Sequence, residues 1–279
     1  MMMNEITQMA YEGLIRRSAQ NGRYFPFMLK GSFLTRQYFP SHIERKPQDL
    51  DWVCLNYLVN RDDAKDHLKE WIHYLTTVEL NDGIRYTSFS KDNFWWELDY
   101  VMSEDFPTVS TNLSAWVNGQ ETELSIDVSF NLEIQDIYER LTFHPLFGPD
   151  FKLSQTPSLA TQIAWKLHQC MVNPRYKDIF DLTYLLKHSS FTDVFAQLAA
   201  VGILKAECEK DEIVLSQHLS ANKLILPDAR RMLAKNWNNE RSSFNFTNLK
   251  NIPESFETLW NNFTQALIDT EFLECLDEQ

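Results

Sequence analysis

A chain of 279 residues, 44% hydrophobic and 13% aromatic, has enough apolar surface for a packed core, which excludes wholesale disorder. The formal charge of −13, from 39 acidic against 26 basic residues, argues against a broad nucleic-acid-coating surface, because phosphate binding depends on basic excess. Cys54, Cys170, Cys208 and Cys275 stand far apart without a CxxC or Cys/His cluster, so a reduced protein without structural zinc is expected.

The amino terminus, "MMMNEITQMAYEGLIRRSAQ", has no long apolar core and no small-residue cleavage site, so no signal peptide is expected. Residues 4–20 read as a helix, with Ile6, Met9, Ala10, Leu14 and Ile15 near helical spacing. "FPFMLKGSF" is a short apolar segment delivered into a Gly-Ser turn, "FLTRQYF" continues as helix, and "DLDWVCLNYLV" as a strand. "AKDHLKEWIHYLTTV" is amphipathic, with Leu68, Ile72 and Leu75 on one side. "GIRYTSFS", "NFWWELDYVM" and "LSAWVNG" have β texture, and Asn118-Gly119 between two strand-like runs predicts a hairpin.

After about residue 150 the pattern turns helical. Thr156-Pro157 reads as an N-cap followed by proline at the first helical position of "SLATQIAWKLHQCMV", whose stripe is Leu159, Ile163, Leu167 and Met171. "RYKDIFDLTYLLKH" follows an Asn-Pro break, and further helices are predicted around 192–208, 227–237 and 254–275. No run approaches the roughly 18 apolar residues of a membrane span, so a cytoplasmic protein without a membrane partner is expected. The fold class is α+β. A domain with a mixed β-sheet is expected over residues 1–150, and an all-helical domain over 151–279.

The chemistry concentrates in "KGSFLTRQYFPSHIERKPQDLDW". Residues two apart on a strand point to one side, so Asp49 and Asp51 project together, and a neighbouring strand could bring Asp127 of "LSIDVSF" beside them. Asp99 of "WELDYVM" is the competing third acid. Like charges at this spacing repel unless they share a hard cation, and Mg2+ prefers oxygen ligands, commonly a few carboxylates plus substrate phosphate. Gly31 lets the backbone approach a phosphate, and Ser32 adds a hydroxyl at the start of a helix. Lys166 sits one position before Leu167, at the edge of the apolar stripe, so its removal should cost little stability. Asp178 and Asp181 lie three apart on a helix and face roughly one way.

The order helix, Gly-Ser turn, helix, DxD strand, later Asp-bearing strand resembles the nucleotidyltransferase fold of the polymerase-beta superfamily. "AWKLHQCMVNPRYKDIFDLTYLL" in turn is similar to the helical signature of the AbiEii/AbiGii toxin family, related to the MenT toxins, the matching residues being Lys166, Arg175, Lys177, Asp178 and Asp181. One departure stands out: sixteen residues separate Ser32 from Asp49, against roughly ten in that family's motif, so "FPSHIERK" is read as an enlarged loop.

The resemblance implies a nucleotidyltransferase in which Asp49, Asp51 and Asp127 hold Mg2+, with Lys166 and Asp178 also catalytic. It implies further that Gly31, Ser32, Lys166 and Asp181 bind the nucleotide. The implied partners are an NTP, tRNA or another RNA as acceptor, and an antitoxin encoded by the neighbouring gene. Basic residues Arg16, Arg17, Arg23, Lys30, Arg36, Arg45 and Lys46, with Arg230, Arg231 and Lys235 as a second group, are candidates for holding an RNA end. The alternatives are transfer to a small molecule, as in aminoglycoside nucleotidyltransferases, and a nucleotide-binding module of this fold without turnover.

Overall fold

The computed structural model describes residues 5–20, 24–58, 61–87, 96–98, 108–134, 138–220, 224–243 and 252–277. Two compact units emerge. One comprises Met1–Gln37, Lys46–Ile134 and Tyr138–Pro157; the other comprises Tyr38–Arg45, Gln135–Ile137 and Ser158–Gln279.

The first unit is built on a mixed sheet. Its strands are β1 (Phe27–Lys30), β2 (Leu50–Cys54), β3 (Ile84–Tyr86), β4 (Trp96–Leu98), β5 (Thr108–Val117) and β6 (Gln120–Ser129), in the order β1-β2-β6-β5-β3 with β4 also paired to β5. β5 and β6 form the hairpin that Asn118-Gly119 predicts, both turn residues having positive φ (50° and 84°). β2 runs antiparallel to β1 but parallel to β6, setting Asp51 beside Asp127.

Alternation decides the two faces. Leu29, Trp52, Ile126 and Val128 join one buried core with Leu14 and Ile15 of α1 (Glu5–Gln20) and Leu68, Trp71, Ile72 and Leu75 of α3 (Arg61–Thr77). Asp51 and Asp127 have the opposite parity and fall on the other face, where both are only partly buried although Met28 and Val53 of the same parity are buried. After the Gly-Ser turn, α2 (Ser32–Thr35) runs into a 3-10 turn at Arg36–Tyr38. A second hairpin, β7 (Glu139–Phe143) with β8 (Phe151–Thr156), was not foreseen. Its strands alternate apolar and polar residues over only a few positions (Leu141–Phe143 and Phe151–Ser154), and its turn residues lie within a loop longer than the two-residue type.

The second unit carries α4 (Leu159–Val172), α5 (Tyr176–Leu185), α6 (Val194–Lys210), α7 (Pro227–Ser243), α8 (Phe256–Ile268) and α9 (Phe272–Asp277), plus a ribbon of β9 (Leu219–Ser220) and β10 (Leu224–Ile225). Two boundaries differ from the sequence expectation. Thr156 closes β8, and the N-cap of α4 is Ser158, whose hydroxyl accepts from Thr161 N at 3.1 Å; proline at 157 therefore precedes the cap. The helix expected over 254–275 is two helices, because the chain leaves α8 at Asp269 and Thr270 Oγ1 donates to Leu267 O at 2.6 Å. No helix among the described residues is long and apolar enough to cross a membrane.

Candidate functional site

One carboxylate oxygen from each of Asp49, Asp51 and Asp127 lies within 4.8 Å of the other two. The sheet explains the convergence. Asp51 and Asp127 are direct partners on adjacent parallel strands, and Asp49 precedes Asp51 by two positions. Lys30 lies across Asp51 on β1, and Ser110 across Asp127 on β5, so one row on this face reads Lys30, Asp51, Asp127, Ser110. Ser110 Oγ donates a hydrogen bond to Asp127 Oδ1, fixing that carboxylate. Asp99, Trp95 and Arg23 lie outside the described residues.

The Gly-Ser turn abuts the same carboxylates. Gly31 has φ 72° and ψ −156°, and a Cβ built on it would collide with the Asp51 carboxylate. Only glycine fits there, on backbone and contact grounds alike. Gly31 O accepts from Leu34 N, Thr35 N and Thr35 Oγ1, which pins the turn. Ser32 is buried, and its hydroxyl has no hydrogen-bond partner among the described residues. A donor set of three carboxylates beside an unpaired hydroxyl is hard, anionic and oxygen-only, which fits a divalent cation carrying a phosphate.

α1 braces this arrangement through residues that carry no motif. The Tyr11 hydroxyl donates to Gln48 O at 2.9 Å and accepts from Ser125 N at 2.8 Å. Next to it, buried Glu12 pairs with Arg36 and accepts from Leu146 N at 2.8 Å and Phe147 N at 3.0 Å. Sequence spacing gave no sign of Tyr11 or Ser110. Each acts through a contact between residues remote in the chain.

In the helical unit, Lys166, Asp178 and Asp181 are brought together. Lys166 Nζ donates to Asp178 Oδ1 at 3.1 Å and to Asp181 Oδ2 at 2.8 Å. Arg175 Nε reaches Asp178 at 2.6 Å, and Arg45 Nε reaches Asp181 at 3.0 Å. Both aspartates are completely buried. Burial pushes the Asp178 carboxyl up, but Lys166 and Arg175 outweigh it and hold it down at about 2. Asp181 is likewise held below the ordinary carboxylate value, Arg45 and Lys166 overcoming its burial. Burial pulls the Lys166 ammonium down, yet Asp181 and Asp178 leave it raised and firmly charged.

One expectation changes here. Lys166 neutralises two buried carboxylates, so its loss would not be cheap. The long spacer before Asp49 is irregular, as an enlarged loop should be, but it is packed. Tyr38–Arg45 belongs with the helices, with Phe39 5.1 Å from the Tyr184 ring and Arg45 bound to Asp181.

The basic residues proposed for an RNA end are mostly committed elsewhere. Arg17 is 1% exposed and forms a bidentate pair with Asp82. Arg36 is taken by Glu12, and Arg45 by Asp181. Arg16 donates to Pro149 O at 2.9 Å and stands 4.6 Å from the Phe151 ring centroid. Arg230 and Arg231 form exposed pairs with Glu257 and Asp228. The first group is therefore largely structural.

Among solved structures, the chain resembles JHP933 from Helicobacter pylori (15% identity, 99% of this chain and 95% of that one, TM-score 0.52). It also resembles MenT4, a nucleotidyltransferase toxin from Mycobacterium tuberculosis H37Rv (13% identity, 97% and 82% covered, TM-score 0.57). At such identities the likeness shows the fold alone. No match was found among the curated proteins. The family model "Nucleotidyl transferase AbiEii toxin, Type IV TA system" matches residues 23–262, a span that holds the Gly-Ser turn, all three converging aspartates and the Lys166 network. The chain belongs to the AbiEii family of nucleotidyltransferase toxins.

Proposed function

We propose that the protein transfers a nucleotide from an NTP to an RNA hydroxyl, tRNA being the acceptor to test first, in a reaction that depends on Mg2+. The observation that carries this reading is the convergence of Asp49, Asp51 and Asp127 beside the Gly31-Ser32 turn. Asp49, Asp51 and Asp127 would hold the divalent cation, which when bound supplies positive charge to the attacking and leaving oxygens. Asp127, steadied by Ser110, would also accept the proton of the attacking hydroxyl. Ser32 would donate its unpaired hydroxyl to a phosphate oxygen, while Gly31 leaves room for that approach. Lys166 is the proposed phosphate-contacting cation of the helical unit. Two of its three N–H donors are held by Asp178 and Asp181, which fix its charge and direction and leave one donor for the nucleotide. The partner antitoxin would be the product of the adjoining gene, acting on the gene or on the modified target.

A small cationic acceptor is a second reading, favoured by the commitment of Arg17, Arg36 and Arg45 to carboxylate partners within the fold. Purified protein incubated with each α-32P-labelled NTP, Mg2+ and either total tRNA or aminoglycosides distinguishes the two. Label entering tRNA, and lost in Asp51→Asn, is the expected result. Label entering only the aminoglycoside establishes the second reading, and no transfer from any NTP to any acceptor overturns both.

A further inference from the structure

We infer that Tyr11 is a positioning residue for the carboxylate triad, its hydroxyl spliced into the β2–β6 ladder at the point where the two aspartate-bearing strands part. The inference rests on the divalent-cation site proposed above. The parallel register runs from Leu50 opposite Ile126 to Val53 opposite Ser129. Extended two residues toward the strand starts, it would set Gln48 opposite Leu124, and the next ladder bond would run from Ser125 N–H to Gln48 C=O. The Tyr11 hydroxyl occupies that bond: it accepts from Ser125 N at 2.8 Å and donates to Gln48 O at 2.9 Å. Two linked bonds replace one, so Gln48 is held further from β6 than a ladder of direct bonds, about 2.9 Å each, would allow.

Asp49 follows immediately, and the displacement suits it. On a straight strand, residues two apart are separated by about 6.6 Å, whereas one carboxylate oxygen from each of the three aspartates lies within 4.8 Å of the others. Asp51 stands at full ladder distance from Asp127, and Asp49 has to lean in from a lead-in that has left the ladder. Tyr11 holds it in that departure. Its ring is 2% exposed and packs at 5.3 Å from Phe33, one residue beyond Ser32, so the same side chain touches the residues that flank both halves of the Gly-Ser…DxD motif. Burial, with Asp49, Asp127 and Asp51 nearby, drives the phenol well above its ordinary pKa, so the hydroxyl stays protonated and keeps donating. Phenylalanine at this position would keep the packing and lose both bonds, letting Ser125 N close directly on Gln48 O.

The test is Mn2+ binding, read from the electron paramagnetic resonance of free Mn2+, in the full chain and in Tyr11→Phe and Tyr86→Phe. Tyr86 is the matched control, because its buried hydroxyl also ties the sheet to α1, donating to Ala10 O at 2.8 Å. Both variants should melt earlier. Tyr11→Phe alone should bind Mn2+ about tenfold more weakly, the usual scale for losing a group that orients a metal ligand. Wild-type Mn2+ affinity in Tyr11→Phe, or an equal loss in both variants, overturns the inference while leaving the cation site standing. Absence of Mn2+ binding by the unmodified chain removes the cation site itself and the inference with it. Should Tyr11→Phe fail to fold, linkage supplies the readout in the unmodified chain: a bridge that strengthens cation binding is strengthened by it in equal measure. Saturating Mg2+ should then slow hydrogen exchange of the Ser125 amide by about tenfold, the same factor. Exchange unchanged by Mg2+ overturns the inference.

Discussion

At Gly31 the backbone sits at φ 72°, and any Cβ would strike the Asp51 carboxylate. Gly31→Ala should therefore meet two costs at once, about 1–3 kcal/mol for a backbone conformation that is essentially glycine-only and a displaced carboxylate oxygen of the proposed cation site. A lowered melting temperature with transfer abolished is the expected result, read by thermal melts and the labelled-nucleotide assay. Asp51→Asn should behave oppositely in stability. It keeps the shape, removes one of three clustered negative charges, and should melt a few degrees higher without divalent cation while transferring no nucleotide. These positions were legible because glycine and paired carboxylates in such an order have few structural uses. Tyr11, Ser110 and Arg45 were not, since their partners stand 114, 17 and 136 positions away and their own neighbourhoods look ordinary.

α4 and α5 are joined at their polar seam by an alternating set of charges: Arg45, Asp181, Lys166, Asp178 and Arg175. With both carboxylates fully buried, Lys166→Ala should destabilise the helical unit by about 3 kcal/mol, the cost of leaving a buried ion without part of its partner set. Denaturant titration measures it, and a loss near zero would return Lys166 to the role of a surface lysine. Acid probes the same seam. Asp178 is depressed to about 2, so its contribution is complete above the pH where an unfolded aspartate ionises and is lost as pH falls through the folded value. That places the loss between about pH 4 and pH 2 and its size at about 2 kcal/mol. Asp181 is shifted in the same direction. Chemical denaturation across that range should show a steep fall in the unmodified chain and a shallower one in Asp178→Asn. The helical stripe and the Lys…Asp spacing were readable in advance. The partner set was not, because helical periodicity says which face a residue shares and nothing about what a distant loop contributes to it.

For the chain as a whole, a net charge of −13 combines with the internal commitment of Arg17, Arg36 and Arg45. These three arginines are not available to displace counterions from RNA, so tRNA binding should show a shallow salt dependence, with a log–log slope of about −1 to −2. Fluorescence anisotropy with labelled tRNA from 50 to 200 mM salt, roughly the range over which strongly basic binders lose several decades, gives the slope. A slope steeper than about −4 would mean that an extended basic surface exists after all. The α+β order of the chain and its family were both accessible from the sequence. The grouping of Tyr38–Arg45 with the helices was not, because a polar stretch with proline reads as loop wherever it finally packs.

The parallel pairing of β2 with β6 also has a consequence in time. β5 and β6 close on each other through a two-residue turn, a local event, whereas Asp51 and Asp127 are 76 positions apart and meet only when that long segment has been made and folded back. At about 5–20 residues per second, a ribosome takes about 4–15 s to travel from one aspartate to the other. A nascent chain therefore holds two of the three aspartates, and no complete triad, throughout that interval. Premature termination anywhere before β6 yields a chain without Asp127, in which the carboxylate triad cannot form.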